Sequence, residues 1–131
     1  MSTKKKSKLP ICQNSYVAEA GQKGRGVFAL KSLVKGATVE ISPYIEVPAR
    51  HFNFVQKTYL ERFVYDLGRN KTAVGLGHLS MYNHDKEPNA TWFINRRRKV
   101  ITIKITKPVK SGEEILLNYG YDPVTQEWSH N

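Results

Sequence analysis

The segment KVITIKIT is the feature that most restricts what this chain can fold into. Apolar and polar residues alternate along it, at Ile101, Thr102, Ile103, Lys104, Ile105 and Thr106. Successive side chains of a β-strand point to opposite faces, so a period of two indicates a strand with one buried face. Such a strand needs a neighbour, and we predict that EILLNY, which follows the turn KPVKSGEE, pairs with it.

Short apolar runs separated by glycine occupy much of the remaining chain. YVAEA leads through GQKGRG into VFALKS, and LVKGATVEI carries a glycine turn between two apolar pieces. Glycine between short apolar runs indicates strands joined by turns. The segments LVKGATVEI and PVKSGEEIL resemble one another, which suggests two related β-turn units, although two copies do not make a repeat array.

A helical pattern interrupts the strands between Pro48 and Leu67. Apolar residues recur every four positions at Val55, Tyr59, Phe63 and Leu67, with Leu60 and Val64 beside them. This spacing predicts an amphipathic helix, and proline suits its first turn. The sequence therefore predicts a mostly β fold with one short inserted helix. We expect a single domain at residues 15–131 with its insert at 44–75, after a flexible basic arm at 1–14.

Several classes of protein are excluded by what the chain lacks. It has no run of eighteen apolar residues and no apolar segment behind its charged N-terminus, which excludes a membrane span and a secretory signal peptide. The single cysteine, Cys12, cannot form an internal disulfide or a cysteine zinc cluster, which favours a reducing compartment, cytoplasm or nucleus. No metal site is expected, because the four histidines lack ligand spacing (His51, His78, His84 and His130).

The formal net charge of +10 is concentrated in two blocks. Four lysines stand in KKKSK at 4–8, and Arg96, Arg97, Arg98 and Lys99 form the second block. Basic blocks attract polyanions, so nucleic acid, chromatin or an acidic protein surface are all compatible partners. A solvated face that binds nothing is equally compatible with this pattern.

Two polar loops could carry a binding site. Glycines 21, 24 and 26 in GQKGRGVFA allow a sharp turn and close approach to a ligand, but the spacing is not the dinucleotide fingerprint, and a plain hairpin turn is the alternative. In YNHDKEPNA, Asn83 and Asn89 can stabilise turns. His84 is compatible with a ligand, a base or a packed structural histidine.

A tyrosine pair follows the strand-like run in LLNYGYDP. Tyr119 and Tyr121 are spaced to face the same side, and Gly120 between them leaves room for a ligand. Aromatic residues at strand ends commonly serve packing. The alternative is a narrow channel with two hydroxyl groups, which suits the apolar stem and polar end of a lysine side chain.

Three segments, in this order, together resemble the SET-domain protein lysine methyltransferases. They are GRGVFA at 24–29, YNHDKEPNA at 82–90 and SGEEILLNYGYD at 111–122, and the resemblance covers roughly residues 15–128. It is strongest to the small single-domain SET proteins of viruses and bacteria. The resemblance implies small β-sheets with a knot-like C-terminal segment, and methyl transfer from S-adenosylmethionine to a protein lysine, with S-adenosylhomocysteine as the product. No metal is implied, because the chain lacks the cysteine clusters that flank many larger members.

The resemblance also implies roles for individual residues. Tyr119 corresponds to the catalytic tyrosine. The residues implied to line the substrate channel are Tyr121, Trp92 and Tyr65, with ordinary core packing as the alternative for Trp92. Those implied to bind the cofactor are Lys23, Gly24, Arg25, Gly26, Val27, Ser80, Met81, Asn83, His84, Tyr119 and Trp128. Ser80 and Met81 are expected on the same strand as the Asn-His pair, and tail packing is the alternative for Trp128.

The substrate is implied only as a class. It is a protein that bears a target lysine; a histone tail is the family's usual substrate, and viral or bacterial members can act on host chromatin. Both a monomer and a homodimer are compatible with the sequence. The alternative function is a catalytically degenerate basic β module that binds nucleic acid or chromatin through its basic segments.

Overall fold

The computed structural model describes residues 13–120. Nine strands lie in this part of the chain: β1 (Ser15–Glu19), β2 (Arg25–Ala29), β3 (Thr38–Val47), β4 (Val64–Gly68), β5 (Lys71–Gly75), β6 (Asn83–His84), β7 (Ala90–Asn95), β8 (Val100–Ile105) and β9 (Glu114–Leu117). The helical segments are α1 (Phe52–Gln56) and three short 3₁₀ turns (Gly21–Lys23, Ala49–His51 and Tyr59–Arg62). The mostly β fold class is confirmed.

The strands form two sheets around one core. The first has the order β1-β2-β9-β6, with only the β6–β9 pair parallel, and the second has the order β4-β5-β3-β8-β7 and is antiparallel throughout. Both sheets contribute to one buried cluster, which includes Val27, Ile115, Ile103 and Ile105. Neither sheet therefore buries its apolar face alone.

The predicted strand KVITIKIT is β8, and its buried residues alternate as expected. Ile101, Ile103 and Ile105 are buried, whereas Lys104 is exposed. Its predicted pairing with EILLNY is wrong, because β3 and β7 occupy both edges of β8. The segment that contains β9 crosses instead to the other sheet, where it pairs with β2 and β6.

The two similar turn segments contact one another. Leu33 and Val109 form an isolated antiparallel bridge, with N–H to carbonyl distances of 2.8 and 2.9 Å. Each segment then turns through a glycine of positive φ, Gly36 at 89° and Gly112 at 84°, a conformation that L-residues adopt only with strain. The resemblance between the two segments therefore corresponds to a paired arrangement that ties the two sheets together.

The predicted helix is shorter than its sequence pattern. Its first part forms α1, but the chain is extended at Thr58 and enters β4 at Val64, so Leu67 lies on a strand. Tyr65 pairs with Ala73 across β4 and β5, and Leu67 is buried there. The helical residues bury little, since Tyr59 remains 72% exposed. Tertiary strand pairing therefore prevails over the local period of about 3.6.

The five-stranded sheet is strongly curled, because its two edges meet. The Arg96 guanidinium on the β7 side donates a hydrogen bond of 2.6 Å to the Leu67 carbonyl of β4. The rings of Tyr65 and Trp92, from the same two strands, are in edge-to-face contact with centroids 5.6 Å apart. This closure borders the cavity that Tyr65 and Trp92 line.

Some sequence predictions fall outside residues 13–120. They concern Tyr121, Trp128, Cys12 and His130, most of the basic arm, and the knot-like C-terminal segment. The limits of the domain also stay a prediction. Among the described residues, no helix is long and apolar enough to cross a membrane.

Candidate active site

The parallel pair β6–β9 brings the Asn-His segment beside the tyrosine segment. Asn83 pairs with Leu116 and His84 with Leu117, although more than thirty residues separate them in the chain. The side chain of Asn89 extends this contact: its amide donates to the Glu114 carbonyl (2.9 Å) and its oxygen accepts from the Leu116 N–H (2.8 Å). The polar loop 85–89 is thus fixed on β9.

His84 positions the backbone of Tyr119. Its Nδ1 accepts a hydrogen bond of 2.9 Å from the Tyr119 N–H, and the two rings are 5.2 Å apart. A nitrogen that accepts carries no proton, so the ring is the neutral Nε2–H tautomer in this arrangement. The Tyr119 hydroxyl donates to the Tyr82 carbonyl. The structure therefore holds Tyr119 at both ends, and both contacts involve the chain around the Asn-His pair.

The glycine loop meets the same pair from the other side. The Asn83 amide donates to the Arg25 carbonyl (2.9 Å) and to Glu114 Oε2 (2.7 Å), and Lys23 Nζ lies 2.7 Å from Glu114 Oε1. A Cβ at Gly26 would lie 2.4 Å from Glu114 Oε2 and 2.8 Å from Asn83 Nδ2. Glycine is required here by close approach, since the φ of Gly26 is not positive.

Glu114 links the cofactor residues that the sequence predicted, and sequence reasoning gave it no role. Its carboxylate contacts Lys23 and Asn83, and it belongs to β9, which pairs with β2. It is one of two adjacent glutamates in SGEE, and Glu113 caps its own turn by accepting from the Lys110 N–H. Only the pairing register shows which of the two faces the glycine loop.

Two predicted cofactor residues of the loop differ in what they can offer. The side chain of Val27 is fully buried in the core, so this residue could reach a ligand only through its backbone. Gly24 has a φ of 81° and open space where a Cβ would stand. The loop therefore presents polar groups and free space on one side and anchors in the core on the other.

A cavity of about 690 Å³ contains the predicted channel residues that the structure describes. Tyr65, Trp92 and Tyr119 line it, together with Ser80 and Tyr82. A volume of this size is typical of ligand pockets. Trp92 both packs against the core and lines the cavity, so its two interpretations are compatible.

Ser80 and Met81 are not on the strand of the Asn-His pair. They lie in the turn at 77–81 that precedes β6. The Ser80 hydroxyl is within hydrogen-bonding distance of the Phe63 (3.3 Å) and Gly75 (3.0 Å) carbonyls, and Met81 packs against the core. Because backbone carbonyls engage the Ser80 hydroxyl, this segment is held as a turn beside β6.

A buried glutamate, Glu40, holds Tyr82, one of the residues that line the cavity. A β-bulge between Thr38 and Glu40 makes Glu40 face the interior, where it is only 2% exposed. Its carboxylate accepts from the Tyr82 hydroxyl, from Ser42 Oγ (2.6 Å) and from the His78 N–H (3.2 Å). A buried carboxylate is tolerated only with such partners. No local signal in the sequence distinguishes Glu40 from an exposed strand glutamate.

Two tyrosines of the cavity are held in their neutral form. Burial, reinforced by the nearby Glu40 carboxylate, raises the pKa of Tyr65 far above the ordinary tyrosine value. Burial and the Glu40 carboxylate likewise raise the pKa of Tyr82. The Tyr65 hydroxyl donates to the Leu79 carbonyl at 2.6 Å, so it acts as a hydrogen-bond donor.

These raised pKa values predict a loss of stability at alkaline pH. The unfolded chain releases both tyrosine protons above about pH 10 while the folded chain retains them. The free energy of unfolding is thus unaffected below about pH 10 and falls above it, by about 1.4 kcal/mol per pH unit for each tyrosine. Urea unfolding between pH 8.5 and about 11.5 checks this.

A matched pair of variants identifies the tyrosine responsible. Tyr65→Phe should reduce the steepness of the alkaline fall, whereas Tyr59→Phe, at a residue that is 72% exposed, should not. If the free energy of unfolding falls equally steeply with pH in the two variants, Tyr65 does not contribute to the alkaline loss of stability.

The described residues contain no group of three histidine, cysteine, aspartate or glutamate side chains that could hold a metal ion. The polar groups of the site are instead an amide, a lysine, a carboxylate and tyrosine hydroxyls.

Comparisons with known proteins identify the family of this chain. The SET domain family matches residues 24–120. A curated relative from Schizosaccharomyces pombe, a histone-lysine N-methyltransferase specific for H3 lysine-37, is 30% identical over 115 residues, which are 86% of this chain and 78% of the relative. A solved Plasmodium falciparum structure, described as a candidate histone methyltransferase, has a TM-score of 0.66 and 25% identity, covering 86% of this chain and 97% of that one.

Proposed function

This chain belongs to the SET-domain family of protein lysine N-methyltransferases, and we propose that Tyr119 is its catalytic residue. SET methyltransferases use S-adenosylmethionine as the methyl donor. The observation that carries the assignment is the β6–β9 pairing, which places Tyr119 against His84 while Asn83 reaches the glycine loop. A degenerate binding module is not favoured, since these residues are all retained.

The donor is proposed to lie against the glycine loop and Asn83. Its methionine end is a zwitterion, and Lys23 and Glu114 offer one cation and one anion at this position. Gly24 borders open space. Because Gly26 has no side chain, the Asn83 amide and the Glu114 carboxylate can occupy their positions beside it. S-Adenosylmethionine, when bound, supplies an electrophilic methyl group on a sulfonium. The residues present fit such a group.

The lysine of the substrate is proposed to enter the aromatic cavity. Tyr65 and Trp92 offer ring faces and edges to an apolar lysine stem. The amine must be neutral to act as a nucleophile, although its reference pKa is about 10.4. Exclusion of water in the cavity lowers the pKa of an amine, because it disfavours the charged form.

Tyr119 is assigned the orientation of the amine rather than its deprotonation. Its hydroxyl donates its one hydrogen to the Tyr82 carbonyl, so its oxygen is left to accept a hydrogen bond from an N–H of the amine. Holding two reactants in line can supply several kcal/mol of the barrier reduction. This positioning is the main catalytic contribution that we assign to the site.

Asn83→Ala is expected to weaken donor binding by about tenfold, equivalent to about 1.4 kcal/mol. The substitution removes the amide that joins the Arg25 carbonyl to Glu114. Calorimetric titration of S-adenosylmethionine into both proteins measures the change. Asn95→Ala, at an exposed asparagine of the β7–β8 hairpin in the other sheet, is the control. Unchanged donor affinity in Asn83→Ala would remove Asn83 from the site.

The substrate is proposed to be a lysine of a histone tail. The S. pombe relative acts on histone H3, and the chain covers most of that relative. Titration of S-adenosylmethionine should show a Kd of about 100 µM or tighter, roughly 5.5 kcal/mol. Transfer of a labelled methyl group into a mixture of purified histones then tests the substrate class. If S-adenosylmethionine binds but no histone is labelled, the methyltransferase assignment stands and the histone substrate is wrong. If S-adenosylmethionine does not bind up to about 1 mM, the proposed donor site is wrong.

A further inference from the structure

Two hairpin tips carry basic residues at the end of the curled sheet where its edges meet. The β4–β5 hairpin turns through Arg69 and Asn70, both with positive φ, and β5 begins at Lys71. The β7–β8 hairpin turns through residues 96–99. The Arg96 guanidinium donates to the Leu67 carbonyl two residues before Arg69, so the two tips are adjacent. This adjacency is invisible in the sequence, where nearly thirty residues separate the tips.

Most of the remaining cations of the two tips are exposed to solvent. We define the tip surface by these side chains: Arg69, Lys71, Arg97, Arg98 and Lys99. All except the partly buried Lys71 are exposed, and none forms an ion pair with any carboxylate within residues 13–120, where the one salt bridge joins Lys23 to Glu114. The nearest carboxylate along the chain, Asp66, is engaged with the Gly68 N–H at 2.7 Å.

The backbone of both tips is held in shape, so the residues that carry the charges stay close together. The Arg69–Asn70 turn is a two-residue connection with Gly68 paired to Lys71, which is the tightest form of hairpin. In the other tip, Asn95 Oδ1 accepts from the Arg98 N–H at 3.0 Å, and the Lys99 carbonyl accepts from the Tyr44 N–H at 3.0 Å. Neighbouring cations without ion-pair partners repel one another, and a polyanion relieves that repulsion.

We propose that the tip surface binds the phosphate backbone of double-helical nucleic acid. Several cations spaced along an exposed surface can contact successive phosphates, and the planar fork of arginine matches phosphate geometry. An acidic peptide would need apolar anchors among the charges, and the tip residues supply none. Arg69 and Asn70 also line the cavity that contains Tyr119. Nucleic acid on this surface would thus lie beside the entrance for the substrate lysine.

This inference does not depend on the proposed methyl transfer, because duplex binding needs neither donor nor substrate lysine. It adds a partner that offsets the net charge of +10, which otherwise repels a lysine-rich substrate. The enzyme would then act on a protein that is itself bound to nucleic acid.

Fluorescence anisotropy with a 20-base-pair DNA duplex and the full chain tests the proposal. The wild type should bind with a Kd of about 1–100 µM near physiological salt, and the affinity should fall steeply with added salt. The variant Arg97→Gln, Arg98→Gln, Lys99→Gln should bind at least about tenfold more weakly, with a salt slope smaller by about 3.

The matched control removes the same charge elsewhere. Lys31→Gln, Lys35→Gln, Lys110→Gln replaces three exposed lysines outside the two tips. It should weaken duplex binding less than about threefold, since only long-range attraction is reduced. Equal losses in the two triple variants would mean that net charge alone matters and would overturn the proposal.

Two further experiments test whether both tips take part and whether the partner is a nucleic acid. Arg69→Gln should weaken duplex binding more than Lys31→Gln does, because it removes a cation from the second tip. If polyglutamate of matched charge competes as well as the duplex, the assignment to nucleic acid is wrong. If the wild-type protein transfers no methyl group to a free histone peptide, that result counts against the proposed function. It leaves the duplex result unaffected.

Discussion

Tyr119→Phe is expected to lower the rate of methyl transfer in a single-turnover assay by at least about 100-fold, equivalent to about 2.7 kcal/mol of transition-state stabilisation. The substitution removes the hydroxyl that donates to the Tyr82 carbonyl, and with it the oxygen that accepts a hydrogen bond from the substrate amine and orients it. The contact with His84 uses the backbone N–H of residue 119, so the fold around the Asn-His pair should persist.

Donor affinity separates a catalytic role for Tyr119 from a structural one. Calorimetric titration should give nearly the same Kd for S-adenosylmethionine in the variant and the wild type. Tyr59→Phe removes a hydroxyl from an exposed tyrosine and should leave both the rate and the affinity unchanged. A Tyr119→Phe protein that turns over at the wild-type rate would end the catalytic assignment.

Gly26→Ala is expected to weaken donor binding by at least about tenfold and to destabilise the fold by about 1–3 kcal/mol. The added Cβ would lie 2.4 Å from Glu114 Oε2 and 3.1 Å from the Ala20 Cβ. Either Glu114 must leave its position, which breaks its link with Asn83, or β2 must move. Calorimetric titration of the donor and urea unfolding measure the two effects.

Gly36→Ala is the matched control for this substitution. Gly36 has a φ of 89° and open space around its missing Cβ, so alanine there is strained but meets no other atom. We expect a loss of stability of about 1–2 kcal/mol with unchanged donor affinity. If Gly26→Ala behaves in the same way as Gly36→Ala, the close approach at Gly26 has no bearing on the donor site.

Local sequence patterns predicted some elements well and others in part. The alternation of Ile101 and Ile103 with polar residues identified β8, because a half-buried strand imposes a period of two. The four-residue spacing before Leu67 predicted a helix that the structure limits to Phe52–Gln56. A short apolar run is compatible with the helical period and with the strand period, and strand pairing decides between them.

The three motif segments were sufficient to predict the family, which the comparisons confirm. The β6–β9 pair brings the Asn-His and tyrosine segments together. The individual roles of the site residues stay predictions. Glu114 and Glu40 were missed, because a glutamate on a strand has the same local signature whether it faces solvent, a ligand or the core.

The period of β8, the turns that need glycine and the membership in a family can be read from the order of amino acids. The folded structure is needed to show which strands pair, which glutamate is buried by the β3 bulge, and which hairpin tips become neighbours through Arg96 and Leu67. Periodicity is a property of neighbouring residues and can be read locally. Pairing between distant segments depends on how the sheets close around a shared core, and no short stretch of sequence contains that information.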